Sequence, residues 1–429
     1  MRPASSPRVA PVVCVSRFFQ RFVFVLSVAI FVTLGLGFAL GQFGWFGVHA
    51  GDAQDGAYQQ MRVYAEVLQK IQTDYVTDPN MGDVTTGALH GLLESLDANS
   101  SYLTPAEYKH FKEQQGKFKG NIGATVSKRY GFAAIVSVIP GGPADKAGIE
   151  TGDIIESLEG KSTRDISLAE ILKMLPGEKG SNINMSIVRP RRAEPQKLVV
   201  TRDEVSAPGS SDKIVENGIG YVKAGYLTQG KAQEVASKIK EVEKAGAKKL
   251  ILDLRNDSEG DELEGVAVAN LFLDHGSIAS LRGQKFERKD FNADPQKAIT
   301  KLPLVVLVNR GTAGAAEIVA AAILDNARGD VLGDKTFGIG SVQKLIEVPD
   351  GSAVILSIAK YYSPSGKAIQ DSSVTPNILV ADADDLDVGG GADDEDSPTP
   401  DATTETKKAT PHADDQLQRA IEVLKNKAS

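Results

Sequence analysis

The stretch KLILDLRNDSEGDELEGVAVANLFL, residues 249–273, decides the fold of this chain. Its apolar run Leu250–Leu254 predicts a short buried strand, and Leu263–Leu273 predicts a helix that follows after a polar loop. The same order recurs on both sides, as strand Ile219–Lys223, helix Ala232–Ala245, strand Leu304–Val308, a helix from about Gly314 to Ala327 and strand Val331–Gly333. Repeated strand–helix–strand units imply a largely parallel sheet covered by helices. Catalytic loops in such sheets lie beyond the carboxyl ends of the strands.

A β-rich segment precedes these units, from about Phe118 to Val205. Short β-like runs such as Ala133–Val138 and Ile183–Val188 are punctuated by glycine, and two short helices interrupt them. Such a size and order suit a PDZ-like peptide-binding module. Further upstream, apolar residues at steps of three and four predict a small helical module that begins near Tyr58.

The N-terminal region contains a predicted membrane anchor. Phe22–Leu40 is 19 residues long and has no charged residue, which is about the length that a helix needs to cross a bilayer. Basic residues precede this run and none follows until Arg62, so the positive-inside rule predicts a cytoplasmic N-terminus. The bulk of the chain is then expected in the periplasm, anchored to the inner membrane.

Two alternatives concern this N-terminal region. Val48-His49-Ala50 could be cleaved by signal peptidase, although the long apolar run favours an uncleaved anchor. Gly37 and Gly41 have the GxxxG spacing that lets two membrane helices approach closely, so a homodimer is possible. The only cysteine, Cys14, precedes the span, so the exported part is expected to form no disulfide.

Composition excludes several function classes. The formal net charge is −8 and no basic cluster is interleaved with aromatic residues, which argues against nucleic acid as a partner. The five histidines lack HExxH or paired Cys/His spacing, so we expect neither a metal site nor a cofactor. For a Ser-His-Asp triad, His275 is the only candidate base within the predicted α/β region.

Four segments in order resemble the signature segments of the C-terminal processing (tail-specific) peptidases. They are Leu252-Asp253-Leu254-Arg255-Asn256, Val308-Asn309-Arg310-Gly311-Thr312-Ala313, Thr336-Phe337-Gly338 with Gly340-Ser341-Val342-Gln343, and Tyr361-Tyr362-Ser363-Pro364-Ser365-Gly366. The resemblance also includes the helical module and the PDZ-like segment, so it covers nearly all of Tyr58–Val380. It implies a serine-type endopeptidase that cleaves protein C-terminal tails.

The resemblance further implies a serine–lysine dyad supported by a glutamine. A desolvated lysine can take the proton of a serine hydroxyl and so make the hydroxyl nucleophilic. In this chain the family serine position is Gly314 and the lysine position is Ile339, and their offset of 25 residues matches the family's spacing. Of the polar catalytic residues only Gln343 is retained, so no catalytic set is intact. The second serine often present in the family is replaced by Ala316.

A third departure lies in the loop that resembles the family's oxyanion loop. The family usually has Asn-Pro-Gly-Gly there, whereas this chain has Asp257-Ser258-Glu259-Gly260. A carboxylate at Glu259 would oppose a developing oxyanion. A working peptidase with displaced groups remains the alternative, since Thr312, Ser341, Lys335 and Lys344 lie nearby in the sequence.

The PDZ-like segment retains a loop that resembles the family's carboxylate-receiving loop, whose residues are Gly120, Asn121, Ile122, Gly123 and Ala124. A nest of backbone amides binds an anion without needing a particular side chain. Tail binding could therefore survive where cleavage does not. The alternative interpretation of this loop is a plain glycine turn between strands.

The repeated strand–helix units predict an α/β fold. We expect several domains, because 429 residues exceed what one hydrophobic core usually serves. The function expected is a pseudopeptidase that binds protein C-terminal or unfolded tails, or that regulates an active relative. The predicted segments are 1–21 cytoplasmic N-terminus, 22–40 transmembrane anchor, 56–116 helical module, 117–205 PDZ-like peptide-binding domain, 206–380 peptidase-like α/β core of largely parallel sheet, 381–411 acidic disordered linker and 412–429 C-terminal helix.

Overall fold

A computed structural model describes residues 51–114, 116–129, 131–189, 194–216, 218–370, 372–381 and 414–427. The predicted segments 1–21 and 22–40, and all of the predicted linker after residue 381, lie outside these residues. Within the part of the chain that the structure describes, no helix is both long and apolar enough to cross a membrane. The chain divides into two compact units, with the boundary between Val84 and Thr85.

The N-terminal unit contains the helix predicted from the three-and-four spacing. Helix α1 (Gly51–Asp74) leaves large apolar side chains exposed, among them Met61 and Tyr64. Helix α2 (Met81–Glu94) contains the boundary between the two units, and at its start the side-chain oxygen of Asn80 accepts a hydrogen bond from the amide of Gly82 at 3.0 Å. This bond satisfies one of the free amides that every helix has at its N-terminus.

An antiparallel sheet forms the β-rich domain, in the order β2-β3-β4-β6-β7 with β5 beside β4. Isoleucines dominate its core, and β2 is an edge strand. The two short helices predicted in this segment are α4, which begins at Pro143, and α5, which begins after the N-cap Ser167. The elements are β2 (Ala124–Arg129), β3 (Phe132–Val138), α4 (Pro143–Lys146), β4 (Ile154–Leu158), β5 (Lys161–Ser162), α5 (Leu168–Met174), β6 (Asn182–Val188) and β7 (Gln196–Thr201).

The predicted strand–helix units form the α/β core. Its sheet has the order β17-β14-β13-β10-β9-β8, and every pair is parallel except β8 with β9. The elements are β8 (Ser211–Glu216), β9 (Ile219–Lys223), α6 (Lys231–Lys244), β10 (Lys249–Asp253), α7 (Glu262–Asn270), β13 (Leu304–Val308), α8 (Ala315–Asp325), β14 (Asp330–Gly333) and β17 (Ile378–Leu379). Apolar side chains of α6, α7 and α8 pack on one face of this sheet, as expected for strands that are buried on both faces.

A further antiparallel sheet, which was not predicted from the sequence, lies beside the core. Its order is β1-β16-β11-β12, with β15 paired to β16. Its strands are β1 (Ser101–Leu103), β11 (Ser277–Arg282), β12 (Lys289–Asn292), β15 (Ser341–Glu347) and β16 (Ala353–Tyr362), and helix α3 (Pro105–Gln114) follows β1. The signature segment with Gln343 therefore lies on a strand of this sheet.

The C-terminal helix α9 (Asp415–Asn426) packs on the opposite face of the parallel sheet, where Ala420 and Leu424 are fully buried. Arg255 fixes its start, because the guanidinium contacts the buried carboxylate of Asp253 at 2.6 Å and that of Asp414 at 2.7 Å. Lys249 fixes its end by donating to two backbone carbonyl oxygens at 2.6 Å. The helix is thus attached to β10 at both ends.

Replacing Arg255 with methionine is expected to lower the free energy of unfolding by about 3 kcal/mol, because the substitution leaves the Asp253 carboxylate buried without its cation. Arg419→Met is the matched control, since Arg419 lies on α9 and its ion pair with Glu422 is solvent-exposed. That change is expected to cost less than about 1 kcal/mol. Urea denaturation measures both values, and equal losses would contradict the role given to Arg255.

Candidate functional site

The loop between β13 and α8 carries the position expected for the nucleophile. Gly314 is the N-cap of α8, with φ 61° and ψ −122°, a conformation that L-residues rarely adopt. A Cβ added at Gly314 would meet no atom within 4 Å, so open space lies in front of this backbone. The site thus has room for a side chain where the sequence provides none.

A buried carboxylate joins this loop to the loop that contains Ile339. One carboxylate oxygen of Glu317 accepts the amide of Gly314 at 3.1 Å and the amide of Ile339 at 2.8 Å. The other oxygen accepts the amide of Gly338 at 2.9 Å and the hydroxyl of Thr336. Because the amides of Gly314 and Ile339 share one oxygen, the structure brings the expected nucleophile and base positions together.

Glu317 is fully buried, and burial raises the pKa of its carboxyl to about 7. The hydrogen bonds from Thr336 and from three backbone amides favour the ionised form and so limit this rise. Glu317 was not among the site residues predicted from the sequence. A glutamate three residues after a helix N-cap is the second half of a capping box, and this signal could have identified it.

Gln343, the retained family residue, lies on β15. Its side-chain amide donates to the hydroxyl of Ser341 at 2.7 Å and to the backbone oxygen of Ser341 at 3.2 Å. Ser341 also accepts from the side-chain amide of Asn99 at 3.1 Å. Neither amide group can take a proton, so this environment does not activate the Ser341 hydroxyl.

The other candidate substitutes are placed no better for catalysis. Thr312 is fully buried, and its hydroxyl donates to the backbone oxygen of Leu254 at 2.9 Å. Lys335 and Lys344 are exposed to solvent, whereas a lysine base requires a desolvated site. His275 is 92% exposed and pairs with Asp274.

The loop at residues 257–260 packs against the nucleophile loop and against the β-rich domain. The backbone oxygen of Asp257 accepts the amide of Ala313 at 2.8 Å, and burial raises the pKa of the Asp257 carboxyl well above its ordinary value. The side chain of Glu259 accepts the hydroxyl of Thr125 at 2.9 Å. Gly260 lies so close to Leu227 that an added Cβ would be 2.5 Å from the Leu227 backbone oxygen.

The predicted carboxylate loop uses several of its amides internally. Gly120 and Gly177 exchange backbone hydrogen bonds of 3.0 Å, and the amide of Asn121 donates to the Asp203 oxygen at 2.8 Å. The amide of Ile122 donates to the side chain of Asn121 at 2.6 Å. A peptide carboxylate would therefore have to bind at the last two residues, Gly123, with φ 73°, and Ala124.

A largely apolar cavity of about 390 Å³ lies between the β-rich domain and the antiparallel sheet. Helix α5 provides one wall, and Phe111 of α3, Ile355 of β16 and Gln343 contribute to the opposite side. On α5 the residues Leu168, Ala169 and Leu172 line the cavity. In the described residues, no group of three or more His, Cys, Asp or Glu side chains is arranged to hold a metal ion.

Comparisons with known proteins match these features. Residues 218–380 match the model of peptidase family S41, and residues 135–189 match a PDZ domain model. The chain is 32% identical over 333 residues to a carboxy-terminal-processing protease of Bartonella bacilliformis, covering 76% of each protein. It is 31% identical over 360 residues to a carboxy-terminal processing protease of Bacillus subtilis, covering 83% of this chain and 76% of that protein.

Among solved structures, the chain resembles the photosystem II D1 C-terminal processing protease, with a TM-score of 0.62 and 25% identity. The match covers 75% of this chain and 92% of that protein. The resemblance recognised from the signature segments is thereby confirmed, as is the α/β fold class with a β-rich PDZ domain.

Glu317→Gln tests the role of the buried carboxylate. The raised pKa means that the folded chain keeps a proton that the unfolded chain, with an ordinary pKa of 4.5, releases between about pH 4.5 and 7. The contribution of Glu317 to stability is therefore complete below the unfolded pKa and is lost as the pH rises through 7. We expect the difference in unfolding free energy between the wild type and Glu317→Gln to change by about 3 kcal/mol across this window.

Urea denaturation at several pH values between 4 and 8 measures this difference. Glu422→Gln is the control, because Glu422 is an exposed carboxylate on α9 and its removal should leave the pH profile unchanged. A wild-type-minus-Glu317→Gln difference that stays constant with pH would contradict the assignment.

Proposed function

Since the chain belongs to the carboxy-terminal-processing proteases of peptidase family S41, we propose that it is a non-catalytic member, a pseudopeptidase. It captures the C-terminal or unfolded tails of other proteins, or it regulates an active relative by co-assembly. The observation that carries this proposal is the site itself: the backbone amides of Gly314 and Ile339 donate to the same carboxylate oxygen of Glu317, and neither residue has a side-chain group that can attack a carbonyl or take a proton.

Peptide hydrolysis on this scaffold needs a nucleophile and a group that removes its proton. Glycine has no side chain and isoleucine cannot titrate, so the first step of acyl transfer lacks both participants. The oxyanion loop also has Glu259 where the family usually has glycine, and a carboxylate there would oppose the negative charge that develops on a carbonyl oxygen. The hydroxyls of Thr312 and Ser341 do not replace the missing nucleophile, because their hydrogen-bond partners are a backbone carbonyl and amide groups.

Several features support tail capture. Strand β2 lies at the edge of the PDZ sheet, the position at which an extended peptide can add as a further strand. Gly123 immediately precedes this strand and Ala124 is its first residue, and their amides are the proposed donors to a terminal carboxylate. The apolar cavity beside α5 can receive an apolar side chain of the same tail.

The place of action follows from the N-terminal sequence. The uncharged run 22–40 has basic residues before it and none after it until Arg62, which supports a single-pass anchor in the inner membrane and a periplasmic location for the rest of the chain. Partners in this proposal are polypeptide C-termini, an active family member or a second copy of this chain. Nucleic acid is not among them.

The absence of catalysis is tested with the purified chain and an unstructured protein substrate. We expect no cleavage by the unaltered chain and no labelling by a fluorophosphonate probe. The triple variant Gly314→Ser/Ile339→Lys/Glu259→Gly restores the family's nucleophile, its base and the glycine at position 259, and it is expected to gain measurable cleavage. Gly314→Ser alone is the control and should stay inactive because it lacks the base. Cleavage by the unaltered chain, or probe labelling of Thr312 or Ser341, would support a rewired peptidase instead.

Tail capture is tested by titrating peptides that have free or amidated C-termini. A carboxylate accepts charge-assisted hydrogen bonds, so amidation should weaken binding by about tenfold or more. Leu172→Asp places a charge at the apolar cavity and should weaken binding to a similar degree. Val199→Asp is the matched control, because Val199 is exposed on β7 of the same domain and does not line the cavity. Equal affinity for free and amidated peptides would exclude a carboxylate receptor and leave a scaffold role.

A further inference from the structure

The two residues that depart most from the family's oxyanion loop contact the PDZ domain. The hydroxyl of Ser258 donates to the hydroxyl of Thr125 on β2 at 2.7 Å, and Thr125 donates to the carboxylate of Glu259 at 2.9 Å. The hydroxyl of Ser258 also lies 2.5 Å from that of Ser137 on β3, which lies 3.0 Å from the phenol of Tyr226 in the core. These five side chains form one continuous chain of hydrogen bonds across the domain boundary.

The direction of donation along these hydrogen bonds follows from the number of protons that each hydroxyl has. A serine hydroxyl has one proton, and Ser258 gives it to Thr125, so Ser258 must accept from Ser137. Ser137 has then used its own proton and must accept from Tyr226. Burial raises the pKa of Tyr226, so the phenol keeps the proton that it donates. Every hydroxyl therefore donates in the direction of Glu259. Its negatively charged carboxylate is the last acceptor and strengthens each hydrogen bond in the series.

The contribution of these hydrogen bonds to stability depends on how deeply each side chain is buried. Ser137, Tyr226 and Ser258 are buried, whereas Glu259, the last acceptor in the series of hydrogen bonds, is exposed. A buried hydroxyl without a partner destabilises the folded state. The family residues at positions 258 and 259, proline and glycine, have no side-chain hydrogen-bonding group. The hydrogen bonds from the core to the PDZ domain at these positions therefore depend on Ser258 and Glu259.

Neighbouring contacts hold the same two strands against the site. The guanidinium of Arg129, at the end of β2, lies 5.2 Å from the ring centre of Phe337, two residues before Ile339. A Cβ added at Gly311 would be 3.1 Å from the backbone oxygen of Val136 on β3, so β3 closely approaches the nucleophile loop. The edge strand expected to receive a tail is thus adjacent to both loops of the site.

We propose that Ser258 and Glu259 form a latch with Thr125 and Ser137 that holds the PDZ domain on the core in one orientation. The latch keeps intact the cavity whose walls come from α5 of the PDZ domain and from α3 and β16. In this chain the loop at residues 257–260 therefore fixes the PDZ domain against the core, and Ser258 and Glu259 supply the contact.

The latch is tested by the distance between spin labels at Val199 and Lys240, exposed positions in the PDZ domain and the core, in a Cys14→Ser background of the full chain. The unaltered latch should give one narrow distribution. Thr125→Val/Ser258→Ala removes two hydroxyls with little change in volume and should broaden the distribution toward longer distances. Glu259→Gln is the comparison variant: the glutamine oxygen still accepts from Thr125 but has no charge, so this variant should broaden the distribution less than the double variant does.

A distribution that is unchanged in the double variant would overturn the proposal. If the double variant does not fold, Glu259→Ala decides, because that side chain is exposed and its removal leaves the core intact. In that variant we expect hydrogen exchange at the β2 amides to be about tenfold faster, equivalent to the loss of about 1.4 kcal/mol. Unchanged exchange would contradict the latch. Neither measurement needs a peptide, so failure of the latch and failure of tail capture are distinguishable.

Discussion

The architecture of the site depends on the buried carboxylate of Glu317. It lies in the first turn of α8, where the helix N-terminus leaves amides without intrahelical partners, and it accepts hydrogen bonds from the loops at Gly314 and at Gly338-Ile339. These bonds use backbone amides and the Thr336 hydroxyl. The geometry of the cleft is therefore independent of the side chains at positions 314 and 339, and the fold survives when both are replaced.

This independence connects the fold to the proposed loss of catalysis. A glycine at the α8 N-cap adopts the required positive φ without strain, and an isoleucine between two glycines leaves the amide that bonds to Glu317 in place. The side chains of Ser258 and Glu259 instead contact the PDZ strands. The substitutions that remove groups needed for acyl transfer thus keep the loops around the cleft in place. Those at positions 258 and 259 also add contacts between the core and the PDZ domain.

Much of this fold could be predicted from sequence because continuous apolar runs identify buried parallel strands. Strands Ile219–Lys223 and Leu304–Val308 were predicted with their observed bounds. The antiparallel sheet was missed because β15 is mostly exposed and lacks the alternation that signals a strand. Glu317 was missed because a single acidic residue in an apolar helix gives no periodic signal. The contacts of Ser258 and Glu259 with Thr125 could not be predicted, since they join residues more than a hundred positions apart.

The central claim is that this cleft holds a polypeptide tail without attacking its carbonyl groups. Incubation of the purified full chain with tail peptides in ¹⁸O-labelled water tests it most directly, because hydrolysis, and the reverse reaction at a bound carboxylate, both place the label in a peptide carboxyl group. Mass spectrometry should find no incorporation above that in protein-free samples and no new peptide termini. Incorporation that increases with the concentration of the chain would contradict the account.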